Sequence, residues 1–425
     1  MFREFMIKDI VRMIDGKTKI GDLELVRGIS INSKTTKPGD LFFALKGEHT
    51  DGHLYTSEAL KNGAVGVVVK EGTNNKSEIV VSDTLFALGK LAQGYRNLFQ
   101  PRTIGITGTN GKTTVKNLIS GILSKKYRVL STTKNYNSLI GLPLTVFELS
   151  GQEDYLVLEM GTSNPGEIKR LCEIANPIIG VITNIGPGHL MGLGSIEGIK
   201  QEKLSLIDWL PEEGFGLIGD GVGDVKKHNV LRFSLDMLEN IQLSEYGSRF
   251  RYKGNEFFTL LLGLGNIYNC LAAICLTSEI GVEYELQRDA IAEVKPEPGR
   301  LEPIHHDNLL IINDTYNANP VSMKVSIDFI SNLDRRKICI LGDMRELGGQ
   351  SKILHNEVGK YAKENCDSLL SYGDEARFFE GKHFTDKNKL FKHLRMNLSG
   401  DEVILVKASR ALHFETIIDD LLRLL

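Results

Sequence analysis

Apolar residues along this chain fall into two alternating rhythms. Short, nearly unbroken runs such as TIGIT (103–107), YLVLEM (155–160) and IIGVIT (178–183) leave no polar face, as strands covered on both sides of a sheet do. Between them lie longer stretches with the 3.6-residue period of amphipathic helices. Strand, helix, strand in this order predicts a mainly parallel α/β sheet with helices on both faces, continued by YRVLST (127–132) and FGLIG (215–219). A second series of the same kind, LLIIND (309–314), KICILGD (337–343), SLLSYG (368–373) and EVILVKAS (402–409), follows KPEPGR (295–300), where two prolines and a glycine break the pattern. Before residue 100 the β-rich runs are shorter, DLFFAL (40–45), AVGVVV (64–69) and EIVVS (78–82). TLFALGKLAQGYRNLFQP (84–101) predicts an amphipathic helix closed by Pro101 and suited to a linker. The expected organisation is three α/β units: a small one over 1–100, a central one over 101–297 and a Rossmann-like one over 298–425.

One stretch tests this reading. Phe257 to Ser278 carries no charged residue, and its length is near the roughly 20 residues of a membrane helix. Gly263, Gly265, Asn266 and Asn269 interrupt it, and unpaired amides are costly in lipid. A buried strand, a turn and a buried helix starting near Asn266 fit better, with Asn266 a candidate cap. The first residues, MFREFMIKDIVRMIDGK, mix acids and bases and predict an amphipathic helix, not a signal peptide.

Composition narrows the function. In 425 residues, 25% are charged and 41% hydrophobic, with 51 basic against 54 acidic side chains and a net charge of −3. Those values suit a soluble multi-domain protein and exclude a global cationic field for nucleic acid or anionic membrane. An anionic ligand therefore needs a local site. Cys172, Cys270, Cys275, Cys339 and Cys366 form neither CxxC pairs nor a framework, so reduced thiols and a cytoplasmic location are expected.

The local site is suggested by GITGTNGKTTVKNLI (105–119): strand, glycine-rich turn, helix. Backbone N–H groups of such a turn, with the positive end of the helix, bind phosphate. Gly108 and Gly111 permit close approach, Lys112 supplies a cation, and Thr113 offers a hydroxyl to Mg²⁺. The spacing misses the usual G-x-x-x-x-G-K-[ST] pattern by one residue, since Ile106 stands where its first glycine would be. An ordinary strand–helix turn with an exposed lysine is the plain alternative. A triphosphate requires divalent metal and oxygen ligands. Glu159 ends YLVLE and His189 follows VITNIGPG, both at strand ends where open α/β sheets bind ligands.

Thr107 to Thr114, TGTNGKTT, resembles the ATP loop of the Mur ligase family, and the resemblance spans nearly the whole chain. It implies ATP contacts from Gly108, Thr109, Asn110, Gly111, Lys112, Thr113 and Thr114. It implies two Mg²⁺ ions, held by Thr113, Glu159, His189 and Lys203, with Lys112, Glu159, His189 and Lys203 catalytic. Counting from Gly198, Lys203 falls where the family carries a CO₂-carbamylated lysine, N6-carboxylysine, although Leu204 and Ser205 depart from the usual Gly-Glu that follows. Asn266 and Asn269 match amides near the adenine, with Gly265 in place of a histidine. PGRLEPI (298–304) matches an element that places Arg300 at the phosphates.

INDTYNANPVSM (312–323), then LGDMRELG (341–348) and His355, resembles the members that add D-alanyl-D-alanine. Asp314 is thereby implied at the nucleotide, and Tyr316, Asn317 and Asn319 at the substrate. NSKTTKPGDLFFALKGEHTDGHLY (32–55) resembles the segment holding a uridine nucleotide, implying Ser33, Lys34, Gly47, Asp51 and His53; NYNSLIGLPLT (135–145) implies Asn137 beside the substrate. The implied reaction activates the carboxylate of UDP-MurNAc-tripeptide with ATP as an acyl phosphate, which the amine of D-Ala-D-Ala then attacks. A monomer with no nucleic-acid or membrane partner is expected, closing about hinges near 100 and 298. A member adding diaminopimelate or lysine is one alternative, and a nucleotide-driven switch is another from a different class.

Overall fold

The two-sided apolar runs become the inner strands of two parallel sheets. The computed structural model describes residues 2–47, 50–73, 75–188, 190–225, 227 and 229–424. In the central unit the strands are ordered Val230–Phe233, Phe215–Gly219, Ile179–Ile182, Arg102–Thr107, Tyr155–Glu159, Val129–Ser131, all parallel. Arg102–Thr107 comes first in the chain yet lies inside the sheet. Later strands are laid on one side of it and then on the other, which opens a crevice at its carboxyl end. Register pairs Glu159 with Ile106 and Ile182 with Thr107, so Glu159 and the residues after Ile182 flank the glycine-rich loop.

The charge-free stretch folds as strand Asn255–Thr259 and helix Leu264–Glu279. The helix starts two residues before the expected position. Its cap is Gly263 at φ 81, so Asn266 is no cap, and its side chain donates instead to Leu262 O at 2.9 Å. No described helix is long and apolar enough to cross a membrane. The strand Asn255–Thr259 belongs to an antiparallel sheet with Gly247–Tyr252 and Leu238–Ser244. Those two partner strands escaped the sequence reading; Leu238–Ser244 is almost wholly exposed and lacks a buried face to pattern it.

The last unit repeats the parallel plan with Glu302–His306 as its antiparallel edge, then Leu309–Asp314, Val403–Lys407, Lys337–Leu341, Ser368–Tyr372 and Lys382–Phe384. The first unit has a five-stranded sheet, four strands of it parallel.

The helix Thr84–Asn97 is not a loose linker. It buries Ala87, Leu88, Leu91, Ala92 and Tyr95, and one continuous core joins Ile7, Phe43 and Leu91 to Val146, Leu156 and Ile174 of the central unit. Tyr95 Oη donates to Leu149 O at 2.9 Å and accepts from Arg3 N at 2.9 Å. The expected hinge near 100 is therefore filled with apolar packing.

Candidate active site

The glycine-rich loop leaves the central strand at its carboxyl end and enters the helix Lys112–Leu123. Gly111 caps that helix at φ 81, a left-handed conformation that favours glycine. A Cβ there would lie 2.3 Å from Asn269 Oδ1, and one on Gly108 would lie 1.9 Å from Thr183 Oγ1. The loop is fastened to the exit of the neighbouring strand. Thr109 N donates to Asn184 O (3.0 Å), Asn110 N to Asn184 Oδ1 (2.9 Å), and Thr183 Oγ1 to Asn110 O (2.6 Å).

Cations crowd this loop. Lys112 Nζ donates to the carbonyls of Gly108 (2.8 Å) and Thr109 (3.2 Å), and Lys203 Nζ donates to the same Gly108 carbonyl at 3.1 Å. Burial lowers the pKa of Lys112; Glu159 opposes the shift, Arg300 adds to it, and Glu346 opposes it. Lys203, only 2% exposed, is pushed down to about 7 by burial and then by the Lys112 charge. Its helix is anchored by the preceding residue: Glu202 accepts from Gly166 N and Ile168 N, each at 2.7 Å, supplying the cap that the helix Glu167–Ala175 lacks. A phosphate placed here would meet positive charge and free helix N–H groups.

Beside the cations sits a pair of hard oxygen donors. Thr113 Oγ1 donates to Glu159 Oε2 at 2.8 Å, and Asn137 Nδ2 donates to Glu159 Oε1 at 2.8 Å. Glu159 is 3% exposed, and its N–H donates to Thr132 Oγ1 at 3.0 Å. A hydroxyl and a carboxylate on adjoining elements suit Mg²⁺. His189 lies outside the described residues.

Arg300 reaches this pair from the start of the third unit. Its Nη2 donates to Thr113 Oγ1 at 3.1 Å, and its Cζ lies 3.8 Å from the centre of the Tyr316 ring. Its Nε is buried without a hydrogen-bond partner among the described residues.

Next to the loop is a cavity of about 510 Å³ between the central and third units. Leu235, Leu243, Leu262 and Phe329 give it apolar walls, and Asn184 adds an amide. Asn110, Gly111, Thr114, Asn266, Asn269, Arg300, Asp314, Tyr316, Asn317 and Asn319 also line it. An apolar slot with amides at its mouth beside a phosphate loop can hold a nucleotide base.

Several of these residues have work within the protein. Asp314 Oδ2 takes Lys407 Nζ (2.6 Å) and Ser326 Oγ (2.5 Å), and Oδ1 takes Leu301 N (3.1 Å). That buried ion pair fixes the residue next to Arg300. Asn319 caps the helix Pro320–Ser331, and its Nδ2 donates to Asn110 Oδ1 at 2.7 Å, tying the third unit to the glycine-rich loop.

The uridine-segment residues do not join this cluster in any described contact. Ser33 Oγ donates to Glu58 Oε2 (2.5 Å), Lys34 is exposed, and Gly47 N donates to Thr50 O (2.9 Å). His53 Nδ1 pairs with Asp51 Oδ1 at 2.6 Å while Nε2 accepts from Lys70 N at 3.0 Å, so both ring nitrogens are engaged. Sequence reasoning missed Asn184, Thr132, Lys116 and Lys407. Asn184 and Lys407 stand at strand ends, and the rule that selected Glu159 would have found them. Lys116, whose Nζ donates to Thr132 O at 2.7 Å behind Glu159, gives no signal in sequence.

Comparison with known proteins converges on one family. Residues 106–277 match the Mur ligase middle domain, 299–410 the Mur ligase glutamate ligase domain, and 25–96 the Mur ligase family catalytic domain. The chain is 37% identical over 447 residues, 98% of each chain, to UDP-N-acetylmuramoyl-tripeptide–D-alanyl-D-alanine ligase of Bacillus subtilis strain 168. It is 30% identical to the Escherichia coli K12 protein of the same name over 97% of each. A crystal structure of MurF from Acinetobacter baumannii superposes with a TM-score of 0.93 at 26% identity, covering 99% of both chains. MurF ligase from Thermotoga maritima in complex with ADP does so with 0.86 at 30% identity, covering 94% of this chain and 97% of that one.

Proposed function

The chain belongs to the Mur ligase family, and from that premise we propose that it joins D-alanyl-D-alanine to UDP-N-acetylmuramoyl-tripeptide with ATP, in peptidoglycan precursor synthesis. The observation that carries the reading is the meeting of Lys112, Thr113, Glu159 and Arg300 at the carboxyl edge of the central sheet. A carboxylate is a poor acyl donor, because oxide is a poor leaving group; transfer of a phosphoryl group makes an acyl phosphate that an amine can attack. Two anions must approach in that first step. Lys112 and Arg300 offset their repulsion, acting as donors already in place when charge develops.

The donor set also suits magnesium. Thr113 and Glu159 would hold one ion, and His189 with Lys203 a second. Bound there, magnesium would supply further positive charge to the phosphate oxygens. Lys203 fits the anionic form expected of it: with a pKa of about 7 much of it is a free amine at neutral pH. An amine adds CO₂ to give a carbamate and a proton. The nucleotide base would lie in the cavity against Asn266 and Asn269. The uridine moiety would lie on the first unit near Lys34, whose side chain stays exposed. Three units bounded near 100 and 298, and work in the cytoplasm, complete the reading.

The test is phosphate release from ATP. It should require UDP-MurNAc-tripeptide and D-Ala-D-Ala together, and Lys112→Ala should abolish it while the fold survives. Release driven by diaminopimelate or lysine with the dipeptide precursor, or turnover without either small substrate, would replace this reading.

A further inference from the structure

All five cysteines are free thiols, yet the fold brings two of them together. Cys339 lies in the strand Lys337–Leu341 and is fully buried. Cys366 follows the last turn of the helix Ser351–Asn365, and both cysteines belong to the core between that helix and the third unit's sheet. Though 27 positions apart along the chain, their sulfurs share a hydrogen bond at 3.0 Å. Neighbouring backbone bonds fix this approach. Cys366 N donates to Ala362 O (2.9 Å), Asp367 N donates to Lys337 O (3.0 Å), and Lys337 N donates back to Asp367 Oδ2 (2.7 Å). Cys366 is half-buried, so one member of the pair borders solvent while the other is sealed in the core.

The shared bond sets the two thiols apart. It holds Cys366 below its ordinary value, against burial and Asp367 and with the help of Lys337; the same bond, then burial, raises Cys339. The thiol bordering solvent therefore ionises first, with a second sulfur already against it. The other cysteines lack such a partner. Burial raises Cys172, and Cys270 to about 12, while Cys275 has the Tyr252 hydroxyl as its neighbour at 3.5 Å.

We propose that Cys339 and Cys366 form a reversible oxidation site, which a peroxide converts to a disulfide tying the helix Ser351–Asn365 to the sheet beneath it. The Cys366 thiolate attacks one peroxide oxygen. An S–O bond forms, the O–O bond breaks, and the departing hydroxide takes the proton that the thiol gave up, leaving a sulfenic acid and water. The Cys339 sulfur then attacks the Cys366 sulfur. An S–S bond forms, the S–O bond breaks, and hydroxide leaves with the Cys339 proton as a second water. Two thiols lose two electrons and one peroxide gains them. The bond lies toward the amino edge of the sheet, since Cys366 precedes the strand Ser368–Tyr372, whereas Asp314 closes its own strand at the carboxyl edge. It thus secures the third unit from the side away from the nucleotide cavity.

The experiment treats the folded full chain with hydrogen peroxide and maps its cysteines by mass spectrometry. Wild type should yield a peptide cross-linked between Cys339 and Cys366, lost again on adding dithiothreitol, with Cys172, Cys270 and Cys275 still thiols. Oxidation should raise Tm by about 3 °C or more, because the bond closes a loop in the unfolded chain; Cys366→Ser should show no rise. In Cys339→Val the sulfenic acid on Cys366 has no second thiol to meet, so dimedone should label it about tenfold more than in wild type, a change that a merely structural contact would not produce. If Cys339→Val fails to fold, the cross-link and the Tm difference between wild type and Cys366→Ser decide the matter. No cross-link in folded wild type, a cross-link formed only in denaturant, or a Tm that does not rise on oxidation overturns the proposal.

Discussion

The two junctions of this chain are built from different materials. Between the first and central units, Tyr95 packs against Phe2, Phe5, Phe99 and Phe147 with ring centres 5.0–5.7 Å apart, and a single apolar core crosses the boundary. Between the central and third units the ties are mostly polar: Asn110 with Asn319, Arg300 with Thr113, Arg335 with Glu245. Apolar contacts there are scattered rather than one core: Leu262 enters the third core, Leu354 packs against Leu190, Leu193 and Ile199, and Val325 rests against Gly265. Separating apolar surfaces costs roughly 25 cal/mol per Å². A part-buried hydrogen bond of this kind contributes only about 0.5–1.5 kcal/mol net. Of the two expected hinges, the one near 100 thus carries the larger apolar contact and the one near 298 the more polar one.

The largest test removes the aromatic centre of the first junction. Tyr95→Ala should cost about 3–5 kcal/mol, as large-to-small aromatic core changes do, and should split denaturant unfolding of the first and central units into two transitions. A single transition with a small shift would mean the junction holds without it.

The next test places the same bulk at both junctions. A Cβ on Gly89, in the helix Thr84–Asn97, would lie 2.9 Å from Ile174 Cδ1, and one on Gly265 would lie 3.1 Å from Val325 Cγ1. Overpacking a closed core costs about 1–3 kcal/mol, partly offset at Gly89 by helix propensity of about 1 kcal/mol. Gly89→Leu should lower Tm. Gly265→Leu should leave Tm nearly unchanged, weaken nucleotide binding, and widen the envelope seen by small-angle scattering. Equal losses of Tm would erase the distinction.

A smaller effect is expected of the amide pair across the second junction. A double-mutant cycle of Asn110→Ala and Asn319→Ala should give a coupling of about 1 kcal/mol or less in nucleotide affinity. Strict additivity would deny the latch.

The slightest effect concerns pH. Burial lowers the pKa of His355, and the nearby Arg345 charge adds to that, against the opposing pull of its bond to Ser351, Asp343 and Glu375. Its Nε2 must stay unprotonated to accept from Met344 N. Because the unfolded chain takes the proton more readily, this stability is full above the ordinary imidazole value of 6.5 and is lost as pH falls below it. Thermal melts of wild type against His355→Gln between pH 7.5 and 5 should converge toward the acid end; parallel curves would assign the ring another role.

Much of the fold was legible because burial on both faces leaves a mark in sequence. Every inner strand of the two parallel sheets was foreseen from an unbroken apolar run. The first two strands of the meander, Leu238–Ser244 and Gly247–Tyr252, were not, since the first of them faces water and carries no apolar pattern to read. The geometry of the glycine-rich loop was equally legible: Gly108 and Gly111 are required by contacts that a Cβ would violate. Asn137 was placed beside the substrate, and the contact drawn here is to Glu159, a pairing between segments 22 residues apart that no spacing rule encodes.

Alternating periodicity, the glycines of the turn and the residues closing each strand thus determined by themselves the fold class and the strand–turn–helix of the glycine-rich loop, because they reflect local geometry and one-dimensional burial. Which side chains surround Lys203, why Asp314 answers to Lys407, and which junction carries the continuous apolar core were decided only when distant segments packed together. Charge, desolvation and apolar contact depend on neighbours in space, and the order of residues along the chain does not carry them.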